Sequence, residues 1–158
     1  MLAPDHLSFE FLLGLEIPKA LRLRYCVSLA CIAPDLAPPE VGPDFCRSVA
    51  ERAARRLRVT DVVATLSEGA VALLLIDADP YALPQILCRV TEELSVDPVR
   101  SLGREWRPTW SVGSGCYPKT ASDRAELLRQ AVGLMMRAKK DGGNRSYIAG
   151  VEPFVPMS

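Results

Sequence analysis

The chain has 158 residues, with 19 Lys+Arg against 19 Asp+Glu. That is enough for one real hydrophobic core, and the balance argues against broad binding to nucleic acid or anionic membranes. A single histidine, His6, removes histidine-rich metal sites and argues against a Ser-His-Asp triad.

Taken in chain order, Leu7 to Arg24 predicts an amphipathic helix in two pieces, broken at Pro18, with Phe11, Leu12, Leu15, Lys19 and Arg22 dividing between two faces. Tyr25 to Ile32 is an uninterrupted apolar run suited to a central strand covered on both faces. Ala33 to Pro39 predicts a loop. Asp44 has the chemistry to cap the next helix, whose buried stripe is Phe45, Val49, Ala53 and Leu57. Asp61 to Leu66 and Ala70 to Ile76 predict strands joined by a turn at Ser67-Glu68-Gly69. Helix returns over Pro80 to Leu94 with Pro84 in its first turn, and Trp110 to Cys116 predicts a short strand. The last helix opens on a capping pair, Thr120 and Asp123. It carries Leu127, Leu128, Ala131, Leu134, Met135 and Ala138 on its apolar stripe and stops at Gly142. Ser146 to Ile148 predicts an edge strand. The order β-α-β-β-α-β-α-β implies an α+β, two-layer domain with a central, mainly antiparallel sheet flanked by helices, related to the ferredoxin-like plan. One domain over residues 1–158 is expected, with 1–24 an N-terminal helical segment and 150–158 a tail.

No apolar run reaches membrane-spanning length, and no basic region leads into a secretory core. The five cysteines, Cys26, Cys31, Cys46, Cys88 and Cys116, form no C-x-x-C pair and lie mostly in apolar runs. Buried free thiols and a soluble, cytoplasmic protein are the expectation. Arg47, Arg52, Arg55, Arg56 and Arg58 crowd one segment; for most of them a solvated helix face is the expected role. Trp106 and Trp110 have the faces to stack on a base, but core or rim is the expected place for aromatics beside a strand. Met135 and Met136 are expected to pack rather than form a peptide groove, and Gly142-Gly143 follows a helix instead of opening one, so it is no phosphate loop.

These pieces together resemble the GGDEF, or diguanylate cyclase, family from about Asp5 to Tyr147. Asp5-His6-Leu7-Ser8 is similar to its opening D-x-L-T, without the G-L-x-N-R that should follow. Ser28-Leu29-Ala30-Cys31-Ile32 is similar to its first strand, Trp110-Ser111-Val112-Gly113 to its T-x-S-x-G strand, and Ala138 to Arg145 to its A-K-x-x-G-x-N-R ending. The resemblance implies a nucleotidyl-cyclase-like fold. It also implies an ancestral chemistry in which two GTP molecules condense to cyclic di-GMP on two divalent metals, held by one acid at the end of the first strand and another in the turn. At those positions this chain has Ala33 and, within Ser67-Glu68-Gly69-Ala70-Val71, Gly69. Asp35 matches the strand-end acid that is not a ligand in the family. Glu68 is displaced by one residue and expected to point elsewhere, and Ser67-Glu68 replaces the glycine pair that lets backbone approach nucleotide. Val132 and Met136 replace an aspartate and a tyrosine. Lys139 is the one retained phosphate-facing candidate, though a solvated lysine favoured by the helix C-terminus is the better reading. No metal, no cofactor and no cyclase activity are therefore expected; a residual GTP-binding reading rests only on Lys139 and Asp35.

The resemblance implies a second site, for the product, marked by R-x-x-D ahead of the turn and an arginine on the following helix. Arg58 and Asp61 fit the pattern, with Val62 to Leu66 between Asp61 and Ser67, and Arg89 occupies the helix position. A guanidinium fork pairs with guanine O6 and N7, stacks on a base or binds phosphate, and an aspartate accepts from the guanine N1 and N2 edge. The plain alternative is a surface Arg58–Asp61 ion pair of little worth and a solvated Arg89. The implied function is a catalytically inactive receptor for cyclic di-GMP, acting through a homodimer or an unidentified protein partner. The alternative is a structural or dimerisation domain with no nucleotide.

Overall fold

Alternation along the strands decides the architecture: successive residues of each central strand are buried on opposite faces, so both faces need helices. The computed structural model describes residues 2–3, 6–35 and 42–151, with side chains throughout except at 2–8 and at Ser67. In chain order the elements are β1 (Leu2–Ala3), α1 (His6–Leu23), β2 (Val27–Pro34), α2 (Pro43–Ala54), β3 (Val62–Thr65), a 3-10 turn (Ser67–Gly69), β4 (Val71–Ile76), α3 (Leu83–Val96), β5 (Val99–Ser101), β6 (Arg104–Trp106), β7 (Trp110–Tyr117), α4 (Arg124–Lys140) and β8 (Arg145–Ile148). The six-stranded sheet has the order β1-β3-β4-β2-β7-β8. Its three inner pairings are antiparallel, and the outer pairings β1–β3 and β7–β8 are parallel.

Along β2 and β4, Ala30, Ile32, Val71, Leu73 and Leu75 face one cluster, closed by Phe45, Val49 and Ala53 of α2 and Leu83, Leu87, Val90 and Leu94 of α3. Val27, Leu29, Cys31, Ala72 and Leu74 face the other, closed by Phe9, Leu13 and Ala20 of α1 and Leu127 and Ala131 of α4. The expected antiparallel sheet flanked by helices is what forms, but α2 and α3 cover one face and α1 and α4 the other, so the layers are three and not the two expected.

Several local expectations are corrected. α1 is one helix through Pro18, which lies on its exposed side. Its buried stripe is Phe9, Leu13 and Ala20, leaving Phe11 and Leu15 exposed. α2 starts at Pro43 after Gly42 with no side-chain cap, so Asp44 acts within the first turn, where a negative charge suits the helix dipole. The α4 cap is Asp123, which accepts from Glu126 N at 2.8 Å, while Ser122 N and Oγ donate to the Glu126 carboxylate. Thr120 is not its partner; its hydroxyl accepts from Cys116 N at 2.8 Å instead. The β5–β6 hairpin was not foreseen: its two-residue turn, Leu102-Gly103, has both φ positive, at 54° and 73°, but lacks the Asn-Gly or Asp-Gly that announces such a turn. Of the cysteines only Cys31 and Cys116 are buried, and Cys88 is exposed on α3. Burial pushes the Cys31 thiol up to about 12. Trp110 is in the core and Trp106 packs partly against it, as expected. Residues 36–39 of the expected loop, Asp5, and 152–158 of the tail lie outside the described residues. Among the described residues no helix is long and apolar enough to cross a membrane.

At Gly113 the α4 backbone lies directly on β7. A Cβ built on Gly113 would lie 2.1 Å from Met135 N and 2.2 Å from Ala131 O, both helix backbone. Nothing flexible can yield there. Gly133, on the exposed side of the same helix, has open space around a Cβ. We therefore expect Gly113→Ala to destabilise the protein by at least about 3 kcal/mol, because backbone rather than side chains must shift. Gly133→Ala should stabilise it by about 1 kcal/mol through helix propensity. Urea unfolding of the two variants checks both signs.

Candidate functional site

Where α2 ends at Ala54, the chain turns through residues 55–61 before entering β3. One buried carboxylate fixes that turn. Asp61, 4% exposed, accepts from Arg58 N through Oδ2 and from Ile76 N through Oδ1, each at 3.0 Å. The second bond reaches the end of β4, so Asp61 prolongs the β3–β4 ladder with its side chain. Two backbone N–H donors and a nearby guanidinium answer the cost of burying the charge. The Arg58 guanidinium donates to the Ile76 carbonyl and stands 3.7 Å from Asp61, yet 58% of its side chain remains exposed. Asp61 thus holds the bend, and its oxygens already serve the backbone instead of waiting for a guanine edge.

The bend forms one wall of a cleft of about 580 Å³. Arg55, Arg56, Leu57, Arg58 and Asp61 line it from the α2 exit, Asp77, Ala78 and Ala82 from the β4–α3 connection, and Gln85, Ile86 and Arg89 from α3. The connection is anchored where the Ser28 hydroxyl donates to the Ala78 carbonyl at 2.6 Å. Arg58, Asp61 and Arg89 are therefore brought together. Arg55 and Arg56, assigned from sequence to a solvated face, join them; the dense arginine run was the only available signal. Gln85 and Arg89 share a face of α3 by their spacing of four. Four guanidinium groups against two carboxylates make the cleft a place for an anion.

A second cleft, of about 690 Å³, lies between α4 and the opposite end of the sheet. Ala33 of β2, Thr65 of β3, Leu66, Glu68 and Ala70 line it from the sheet side, and Val132, Met135, Met136 and Lys139 from α4. The resemblance expects the metal-holding acids at this end of the sheet, and Glu68 is the one carboxylate in the lining. Ala33 has no donor. Gly69, at φ 78°, is turned so that a Cβ would meet the Phe45 ring at 2.6 Å, within the core and away from the cleft. Asp35 accepts from the Thr109 and Ser111 hydroxyls and from Asn144 N, which binds the strand ends to the α4 exit. Among the described residues no group of three or more His, Cys, Asp and Glu is disposed to hold a metal. Glu68, expected to point elsewhere, does line this cleft, because its left-handed backbone (φ 59°) swings the side chain round the turn. Val71 is instead buried in the opposite core cluster, Lys139 is exposed on the cleft wall, and the side chain of Ser67 is outside those described.

Comparison with known proteins agrees with this architecture. The family described as diguanylate cyclase, GGDEF domain, matches residues 39–145. No match is found among curated proteins. Among solved structures, the GGDEF domain of TpbB (YfiN) from Pseudomonas aeruginosa is 25% identical, with a TM-score of 0.80 over 92% of this chain and 90% of that one. The GGDEF domain of DgcB from Caulobacter crescentus, in complex with c-di-GMP, is 19% identical, with a TM-score of 0.81 over 95% and 90%. The FimX GGDEF domain from Pseudomonas aeruginosa is 18% identical, with a TM-score of 0.77 over 93% of each chain.

If Asp61 braces the bend, Asp61→Ala should lower the unfolding free energy by about 2–4 kcal/mol, since two backbone donors lose their acceptor. Arg58→Ala should change it by less than about 1 kcal/mol, because that pair is loose and exposed. Chemical denaturation of the two variants measures the difference.

Proposed function

Since this chain belongs to the GGDEF, or diguanylate cyclase, domain family, we propose that it serves cyclic di-GMP signalling as a receptor: it binds the messenger in the arginine-lined cleft and does not make it. The observation that carries this reading is the convergence of Arg58 and Asp61, from the α2 exit, with Arg89 of α3 on one solvent-open cleft. The messenger carries two phosphates and two guanines. Arg58 and Arg89 bind a phosphate and the O6/N7 edge of a base, and Arg55 and Arg56 add positive charge at the same wall. Asp61 contributes by holding Arg58 in place. The c-di-GMP complex of the DgcB domain, on the same fold, lends support.

The loss of synthesis follows from the donor set. Two GTP-bound metals need carboxylates at the end of β2 and in the hairpin turn; Ala33 and Gly69 supply none, and Asp35 is committed to Thr109, Ser111 and Asn144. A second reading, a structural or protein-interaction domain without a nucleotide ligand, draws on Phe11, Leu15, Leu21 and Leu23, which leave α1 with large exposed apolar side chains.

Calorimetric titration with cyclic di-GMP tests the proposal. Binding is expected for the wild type, weakened roughly 10- to 100-fold in Arg58→Ala and in Arg89→Ala, as loss of a charge-assisted hydrogen bond predicts. No heat at high micromolar ligand, or unchanged binding in Arg58→Ala, removes the receptor reading and leaves the structural one. Incubation with GTP and magnesium or manganese should yield no cyclic di-GMP above a no-enzyme control.

A further inference from the structure

The cleft at the former catalytic position is not merely an emptied nucleotide site; its walls have a chemistry of their own. Met135 and Met136 lie three and four residues after Val132 and four and three before Lys139 on α4, so a single helix stripe reads apolar, apolar, apolar, cation. Met136 and Val132 are 60% and 36% exposed, so the cleft keeps apolar surface in water that an occupant would cover. Ala33, Leu66 and Ala70 extend that surface across the sheet side. Thioether side chains adapt to irregular apolar shapes. At the end of the stripe, Lys139 makes no ion pair among the described residues.

Charge limits what fits. Lys139 is the one cation and Glu68 the one anion of the lining. Lys139 also sits in the last turn of α4, where the helix dipole presents its negative end. A triphosphate brings several negative charges to one lysine, one repelling carboxylate and an unfavourable dipole. A single carboxylate brings one charge to one cation. The volume, about 690 Å³, lies in the ordinary range for small-molecule sites, roughly 300–1,000 Å³.

From these features we infer that the α4 cleft is a binding site for an amphipathic organic monoanion: a carboxylate on Lys139 and an apolar body along Met135, Met136 and Val132. The site is separate from the arginine cleft and does not depend on the messenger reading.

Decanoate is a suitable probe, used below its micelle-forming concentration with the full chain, and its binding is followed through the methionine methyl resonances. Decanoate should shift the Met135 and Met136 methyls saturably. Lys139→Met, which keeps the stem and removes the charge, should weaken binding about tenfold or more, as expected for a charge-assisted contact. Met136→Gln, an exposed substitution of similar size, should weaken it too, and Arg58→Ala should leave it unchanged. Decyltrimethylammonium, with the same chain and the opposite charge, should bind far more weakly. The inference is overturned if decanoate causes no saturable shift, if Lys139→Met binds it as well as wild type, or if the cationic amphiphile binds equally. It is likewise overturned if the protein takes up phosphatidylglycerol vesicles while ignoring free decanoate, which would make the patch a membrane contact.

Discussion

The backbone of α4 rests directly on β7, and much of the molecule follows from that contact. Gly113 leaves no side chain between helix and strand, so the backbone around Ala131 and Met135 can come within the distance a single Cβ would occupy. With the helix held that close, Leu127, Ala131 and Ala138 are buried. The neighbouring stripe of Val132, Met135, Met136 and Lys139 then overhangs the ends of β2 and β3 and the hairpin turn. The same placement delivers the α4 exit to Asp35: Asn144 N donates to its carboxylate at 2.7 Å. A Cβ on Gly143 would stand 2.6 Å from that carboxyl carbon. A close helix–strand approach thus sets the height of the second cleft and locks the strand ends below it.

The two aspartates that look most like ligands are both braces. Asp61 joins the α2 exit to the end of β4, and Asp35 joins β2, β7 and the segment leading into β8. A carboxylate is well suited to this work because its two oxygens accept several N–H or O–H donors from chain segments that no regular ladder links. Burying such a group is tolerable only when those donors are present. The consequence for function differs between the sites. At Asp61 the brace holds an arginine at the mouth of a basic cleft. At Asp35 it ties up an acid beside an apolar one.

Kinship of fold does not by itself fix the chemistry of a site. The backbone follows the Pseudomonas aeruginosa TpbB domain at a TM-score of 0.80 with 25% identity. What the fold requires is alternation of apolar residues along the strands, amphipathic helices on both faces and a small residue under α4. None of these requirements involves an acid at residue 33 or 69, so the sheet forms as well with Ala33 and Gly69 in those places. Site chemistry is carried by a few side chains that the core does not depend on.

The sequence by itself determined the sheet's central strands, the buried stripe of α2 and the α4 helix with its glycine stop, because periodicity and turn residues are local properties. It misplaced what depends on competition between neighbours. Pro18 does not break α1, since packing of Phe9, Leu13 and Ala20 holds the helix on both sides of it. Thr120 leaves the α4 cap for Cys116, and Leu102-Gly103 turns a hairpin without the usual residues. Convergence was beyond it too. Arg58, Asp61 and Arg89 could be picked out as a pattern, but only the packing of α3 against α2 puts them around one cleft with Arg55 and Arg56. Only the tertiary structure decided that Asp61 spends its oxygens on backbone donors, because which donors surround a buried charge is set by segments distant in the chain.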